Sequence, residues 1–245
     1  MIISLTTIPS RINHIKPVID SIKKQTKLVE KILLWIPQDQ KYNIPTFLKR
    51  DKLVEIKRCE DIGPGTKFLH TIKLLSTDQE FIVIDDDTVY SEFLVENLTK
   101  FPDIDAPKAI KGVYFENNKR CTRRFIVKKD HPEFNTLSTA SIICGCDGVL
   151  LKPKFFTDDI FKIKEKQYSH LRDTDDMWMS SHFYTQKIKK YVVPSTPISY
   201  ADKLDVIWSK PPRPHIRFLD HINAVQGGSY EKEEIYKELC NILTK

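Results

Sequence analysis

The sequence predicts an α/β protein built on a mostly parallel sheet. Two observations predict it. Short apolar, β-branched runs alternate with amphipathic stretches from Met1 to about residue 90, and the most apolar run, Phe81–Ile84, ends in Asp85-Asp86-Asp87. Alternating strands and helices favour parallel strands joined by right-handed crossovers. In such sheets ligands bind beyond the carboxyl ends of the strands, where these acids stand.

The elements follow in order. Ile2–Thr6 reads as the first strand. Ile15, Val18, Ile19 and Ile22 fall at helical spacing and predict an amphipathic helix, with Ser10 or Asn13 as candidate caps. Lys31–Ile36 is a second strand closed by Pro37, and Val54–Lys57 a short third. Gly63-Pro64-Gly65 is a turn. A helix from Thr66 carries Phe68, Leu69, Ile72 and Leu75 on one face, and Phe81–Ile84 is the fourth strand. Beyond the acids, Phe93–Leu98 reads as helix, Ala109–Tyr114 as strand and Arg123–Lys128 as one arm of a hairpin. Ser141–Leu151 holds a glycine-interrupted strand stopped by Pro153. Thr174–Gln186 is a helix, Tyr191–Pro194 a last strand, and Gly227-Gly228 precedes a charged helix over Glu231–Leu243.

The chain has 245 residues, which suits one large α/β domain. With 40% hydrophobic and 29% charged residues the balance is that of a globular protein, not of a disordered or repetitive chain. The net charge of +6 fits an anionic ligand or a membrane surface. The lysines and arginines are spread along the chain, however, and read as solvated surface, including the cluster Lys119, Arg120, Arg123 and Arg124. Met1–Thr7 lacks a basic leader, and no run approaches the roughly 20 apolar residues of a membrane span. A soluble, cytoplasmic protein is expected. The five cysteines have no zinc-type spacing and read as reduced thiols. No zinc-finger spacing, RNA-recognition aromatic motif or basic helix suggests nucleic acid as a partner.

Four segments carry candidate chemistry. The first is Thr6-Thr7-Ile8-Pro9-Ser10-Arg11, directly after the opening strand, where hydroxyls, backbone N–H groups and Arg11 can hold a base and phosphates. The second is Glu60-Asp61-Ile62-Gly63-Pro64-Gly65-Thr66-Lys67. Its glycines allow close backbone approach, Asp61 can accept from a base N–H, and Lys67 offers a point charge to a phosphate. It lacks the G-x-x-x-x-G-K-[ST] pattern of a P-loop. The third is the acid triplet: packed carboxylates repel, and a hard divalent cation with oxygen ligands relieves that repulsion. The fourth is Asp173-Thr174-Asp175-Asp176-Met177-Trp178-Met179. Capping and the helix dipole account for some of its acids, and one further carboxylate can act as a general base.

With these segments in their order, the chain resembles the nucleotide-sugar-dependent glycosyltransferases of the GT-A fold, in particular small bacterial or large-DNA-virus members. The resemblance rests on "SLTTIPSRI", "EDIGPGTK", "FIVIDDDTVY", "CGCDGVLLKP" and "DTDDMWMS", and covers roughly Met1 to Phe183. It implies a Rossmann-type sheet flanked by helices, with a smaller mixed region on the acceptor side. One domain, 1–245, would comprise a nucleotide-binding half (1–100), an acceptor-side half (101–208) and a C-terminal loop and helix (209–245). It implies a D-x-D element in which Asp85 and Asp87 hold Mn²⁺ or Mg²⁺, with Asp85 or Asp86 near the ribose or the metal shell. Thr7, Arg11, Asp61 and Lys67 would line the nucleotide pocket, with UDP the expected nucleotide. Asp147 and Gly148, after Cys146, would lie near the donor sugar and a glycan or other hydroxyl acceptor. Asp176, or alternatively Asp175, would be the base of an inverting transfer. His215 and His221 are candidates for a further metal ligand. The Ser209–His221 segment would be a closing loop.

A rival reading stays open. Asp85-x-Asp87-x-Val89 after an apolar strand also resembles the nucleophile motif of haloacid-dehalogenase-type phosphatases, with Asp175-Asp176 as the late acids. Those enzymes place the nucleophile near the chain start, whereas here several strand–helix units precede it.

Overall fold

In the computed structural model, residues 1–116, 119–124, 135–164, 175–195 and 202–203 are described. In chain order the elements are β1 (Ile2–Thr6), α1 (Lys16–Lys23), β2 (Lys31–Pro37), α2 (Thr46–Lys49), β3 (Val54–Cys59), α3 (Thr66–Leu74), β4 (Phe81–Val83), β5 (Thr88–Val89) and α4 (Leu94–Leu98). There follow β6 (Lys108–Ala109), β7 (Lys111–Glu116), β8 (Lys119–Arg124), β9 (Ser138–Thr139), β10 (Ile142–Ile143), β11 (Val149–Leu151), α5 (Asp175–Thr185), β12 (Tyr191–Val192) and β13 (Asp202–Lys203).

Eight strands form one sheet in the order β3-β2-β1-β4-β11-β6-β12-β9. The first four are mutually parallel. β11 is antiparallel to both β4 and β6, so the sheet changes character beside the strand that leads into the acids. A smaller antiparallel sheet, β10-β7-β8, adjoins the second half, and β13 pairs antiparallel with β5. This is the α/β architecture expected: a large, mostly parallel sheet flanked by helices.

Side chains alternate across the parallel strands, and both faces are covered. Ile3, Leu5, Ile32, Leu34, Ile82 and Ile84 pack with α1 and α4 through Val18, Ile19, Ile22, Val95 and Leu98. Leu33, Trp35, Phe81 and Val83 face α3 and α5 through Phe68, Leu69, Trp178 and Phe183. The polar Ser4 also faces this side. Its hydroxyl donates to the Lys67 carbonyl at 2.5 Å and shares Thr71 Oγ1 with the Trp35 indole N–H. A buried polar network thereby pins α3 to the middle of the sheet.

The structure departs from the sequence reading at several places, and the strand at Tyr191, expected to be the last, is followed by β13. Neither Ser10 nor Asn13 caps α1. Residues 8–14 form turns of their own, such as Arg11 N–H to Ile8 C=O at 2.9 Å, and the helix starts only after Ile15, with Pro17 in its first turn. Pro17 lacks the N–H that a cap would satisfy. The single strand expected over Ala109–Tyr114 is two. β6 belongs to the main sheet and β7 to the small one, and the chain switches at Ile110, whose N–H bonds to Gly148 C=O. Ser141–Leu151 likewise divides into β10, a single 3-10 turn (Gly145–Asp147) and β11. The hairpin expected near Arg123 forms between β7 and β8, while Phe125–Lys128 lie outside the described residues. So do Asp173, Thr174, Ser209–His221 and Glu231–Leu243.

Candidate active site

The carboxyl ends of β1 and β4 and the amino ends of α3 and α5 meet beside the Gly145–Asp147 turn. Around them the candidate residues form two charged groups.

The first group joins the opening loop to the acids. Thr7, 2% exposed, donates through Oγ1 to Asp86 Oδ2 at 2.6 Å. Arg11 Nη1 donates to Asp86 Oδ1 at 2.6 Å and lies 3.7 Å from Asp87 Oδ2. Burial alone would lower the Arg11 pKa, but Asp86 and Asp87 reverse this and raise it. Asp86 is buried, with both oxygens committed to protein donors. Asp85 and Asp87 keep side-chain exposures of 30% and 13%.

The second group joins β4 to α5. Lys67 stands in the first turn of α3, and its ammonium lies 2.5 Å from Asp85 Oδ1 and 2.9 Å from Asp175 Oδ2. The Asp175 contact is an ion pair without hydrogen-bond geometry, and that oxygen has no hydrogen-bond partner. Burial opposes the Lys67 charge, yet Asp175 and Asp85 outweigh it and hold its pKa well above the ordinary lysine value. Asp176 Oδ1 accepts the Gly145 N–H at 2.7 Å. Loss of water, then the neighbouring Asp175 charge, push the Asp176 carboxyl up to about 7. Gly145 permits this approach, since a Cβ there would stand 3.1 Å from Asp176 Oδ1 and 3.3 Å from Lys67 Nζ.

The remaining predicted residues are Asp61, Asp147 and Gly148. Asp61 accepts Gln40 Nε2 and the Gly63 N–H, each at 2.8 Å, and so shapes the turn before α3. Asp147 is buried in the 145–147 turn. Gly148 has φ +95°, and a Cβ on it would stand 2.7 Å from Leu94 Cδ1, so glycine there answers a backbone need. Gly65 makes room for α5: a Cβ would stand 2.7 Å from the Trp178 ring.

Sequence reasoning missed two residues of this region. Tyr42 donates its hydroxyl to Thr7 C=O at 2.8 Å, beneath a cation–π contact from Arg58. Tyr90 accepts the Asp85 N–H at 2.8 Å and donates to Cys146 C=O at 3.0 Å. Tyr90 stands inside the quoted "FIVIDDDTVY" segment, but only its partners reveal a role. β13 places Lys203 opposite Thr88, next to Asp87 in the chain.

Among the described residues these contacts join five acidic side chains to Arg11 and Lys67. Among the described residues no three His, Cys, Asp or Glu side chains are grouped to hold a metal ion. Asp85 and Asp87 nevertheless suit a hard divalent cation, which is commonly held by one or two carboxylates together with substrate phosphates. No helix among the described residues is long and apolar enough to cross a membrane.

No protein-family model and no curated protein sequence matches the chain. Solved structures do resemble it. One is the 4-diphosphocytidyl-2C-methyl-D-erythritol synthase of Anaerococcus prevotii DSM 20548, with a TM-score of 0.51 at 15% identity over 84% of this chain and 94% of that one. S. aureus TarS 1-349 in complex with UDP gives a TM-score of 0.49 at 13% identity over 82% of this chain, which spans 59% of that one. The Francisella tularensis 2-C-methyl-D-erythritol 4-phosphate cytidylyltransferase gives 0.46 at 10% identity, over 85% and 95%. The likeness to the Anaerococcus structure, at 15% identity, is one of fold, that of the α/β arrangement built up above.

Proposed function

We propose that this chain is a metal-dependent glycosyltransferase that moves a sugar from a nucleoside diphosphate donor, with UDP as the nucleotide, to a hydroxyl acceptor with inversion. The observation that carries this reading is the Lys67 bridge. It brings Asp85, on the strand end suited to a diphosphate, next to Asp175 and so close to Asp176, the carboxyl raised to about 7.

The roles follow from chemistry. Asp85 and Asp87 would hold Mn²⁺ or Mg²⁺, which when bound would offset the negative charge growing on the departing diphosphate. Thr7, Arg11, Asp61 and Lys67 line the nucleotide side, and Asp86 orients Thr7 and Arg11. Asp147 and Gly148 shape the turn facing donor sugar and acceptor. Asp176 takes the acceptor's proton, and a carboxyl with pKa near 7 is matched to that task at neutral pH. Residues 1–100 serve the nucleotide and residues 101–208 the acceptor.

The test is a thermal-shift screen of nucleotides and nucleotide sugars with and without Mn²⁺, since a ligand bound only by the folded state raises Tm. UDP with Mn²⁺ should raise Tm, and Asp87→Asn should remove the metal-dependent part. Asp176→Asn should keep that shift but lower sugar transfer about 10²–10⁴-fold. UDP must be the released product. Pyrophosphate release would mark nucleotidyl transfer, and turnover of an aryl phosphate lost in Asp85→Asn would mark a phosphatase. The absence of a metal-dependent shift with every nucleotide overturns the reading.

A further inference from the structure

Tyr90 bonds the segment that follows β4 to the turn that precedes β11, the strand paired with β4. The residue is 4% exposed. Its hydroxyl accepts from the Asp85 N–H at 2.8 Å and donates to Cys146 C=O at 3.0 Å. Its own N–H donates to Ser21 Oγ at 3.1 Å, and that hydroxyl donates to Val18 C=O in α1 at 2.7 Å. Asp85 is therefore fixed twice, by Tyr90 at its amide and by Lys67 at its carboxylate. Cys146 belongs to the turn whose Gly145 N–H holds Asp176. One phenol thus stands between the acids on the nucleotide side and the candidate base.

We propose that Tyr90 is a positioning residue: its hydroxyl locks the Asp85 main chain to the Gly145–Asp147 turn, and so sets how Asp85 and Asp87 stand relative to Asp176. This rests on the reading of Asp85 and Asp87 as the acids that hold a divalent ion and a diphosphate. A purely packing role would need only the ring, which phenylalanine supplies. The hydroxyl is the part that bridges, and its removal takes a partner from one donor and one acceptor.

The experiment compares the full chain with Tyr90→Phe by two measurements. The first is UDP affinity with and without Mn²⁺, by calorimetry. The second is amide hydrogen exchange at Asp85. Loss of one such hydrogen bond corresponds to about a tenfold change. Tyr90→Phe should keep metal-free UDP affinity, lose about tenfold of the Mn²⁺-dependent gain, and exchange the Asp85 amide about tenfold faster. An unchanged Mn²⁺-dependent gain, or unchanged exchange at Asp85, overturns the proposal. A wild-type protein with no Mn²⁺-dependent gain refutes the metal reading instead, and exchange at Asp85 then decides whether the bridge exists. If Tyr90→Phe does not fold, wild-type exchange decides: an Asp85 amide as protected as that of Val83 supports the bridge, and loop-like exchange overturns it.

Discussion

Lys67 has 3% of its surface in contact with water, and its ammonium sits between two carboxylates. Breaking a buried ion pair by removing one partner leaves the other uncompensated and costs about 3–5 kcal/mol. Asp85 is 30% exposed and partly solvated, so the lower end applies here. Lys67→Met should therefore destabilise the fold by about 3 kcal/mol in urea titration. Adding Asp85→Asn and Asp175→Asn should recover part of the loss, because the orphaned charges are then gone. The sequence showed that a cation stands after the Gly63-Pro64-Gly65 turn, since Lys67 opens a helix behind it. It did not show what the cation meets. Asp85 and Asp175 arrive from separate elements, and only the packing of α5 against α3 brings the second one in. Arg11 and Asp86 illustrate the same limit: the acid triplet was legible, but its division into one buried acid, Asp86, and two more exposed ones was not.

At the scale of the helix, α5 carries two groups with opposite pH responses. Asp176 has a carboxyl raised from 3.8 to about 7 by burial and then by Asp175. Its contribution to stability is full below its unfolded pKa and is lost as pH rises through about 7. His182 is lowered from 6.5 to about 4 by burial. Its contribution is present above 6.5 and is lost as pH falls through about 4. The two slopes oppose each other between those values, each with a limit of about 1.4 kcal/mol per pH unit. The stability of Asp176→Asn relative to wild type should thus grow as pH rises from 4 to 7 and then level off. That of His182→Gln relative to wild type should grow as pH falls below 6.5. Urea midpoints across pH 4–8 check both. The Asp176→Asn side chain keeps an amide oxygen for the Gly145 N–H, so its test reads charge more than a lost hydrogen bond. The helix itself was legible from Thr174–Gln186 because its ends carry acids and polar residues. Its almost all-round burial hid which face meets the site, for Met177, Trp178, Met179, Ser180, Ser181, His182 and Phe183 are all buried.

Over the whole molecule, the candidate site lies on the seam where four parallel strands give way to β11 running the other way. The parallel half was readable because strands covered on both faces leave unbroken apolar runs. The other half was not, because β6, β9, β10 and β12 are two residues long and take their places by switching sheets. Such strands carry no period to detect. The same contrast applies to the site: hydroxyls, glycines and acids at the ends of long elements could be named in advance, whereas Tyr42, Tyr90 and the Gly145 approach depend on a register that appears only on folding. Gly65 shows how tightly the two halves are fitted. Gly65→Ala should cost about 1–3 kcal/mol by overpacking against Trp178, and Trp178→Phe in that background should return part of it, measured by thermal melting.

The indole that fills the space over Gly65 donates its N–H to Ile160 C=O at 3.0 Å and meets Phe68 edge-on, two residues after Asp176. Its light emission depends on that enclosure, so with Trp35 and Trp208 replaced by phenylalanine this tryptophan becomes a built-in optical gauge of the seam, and shifts in its emission maximum would track any rearrangement there.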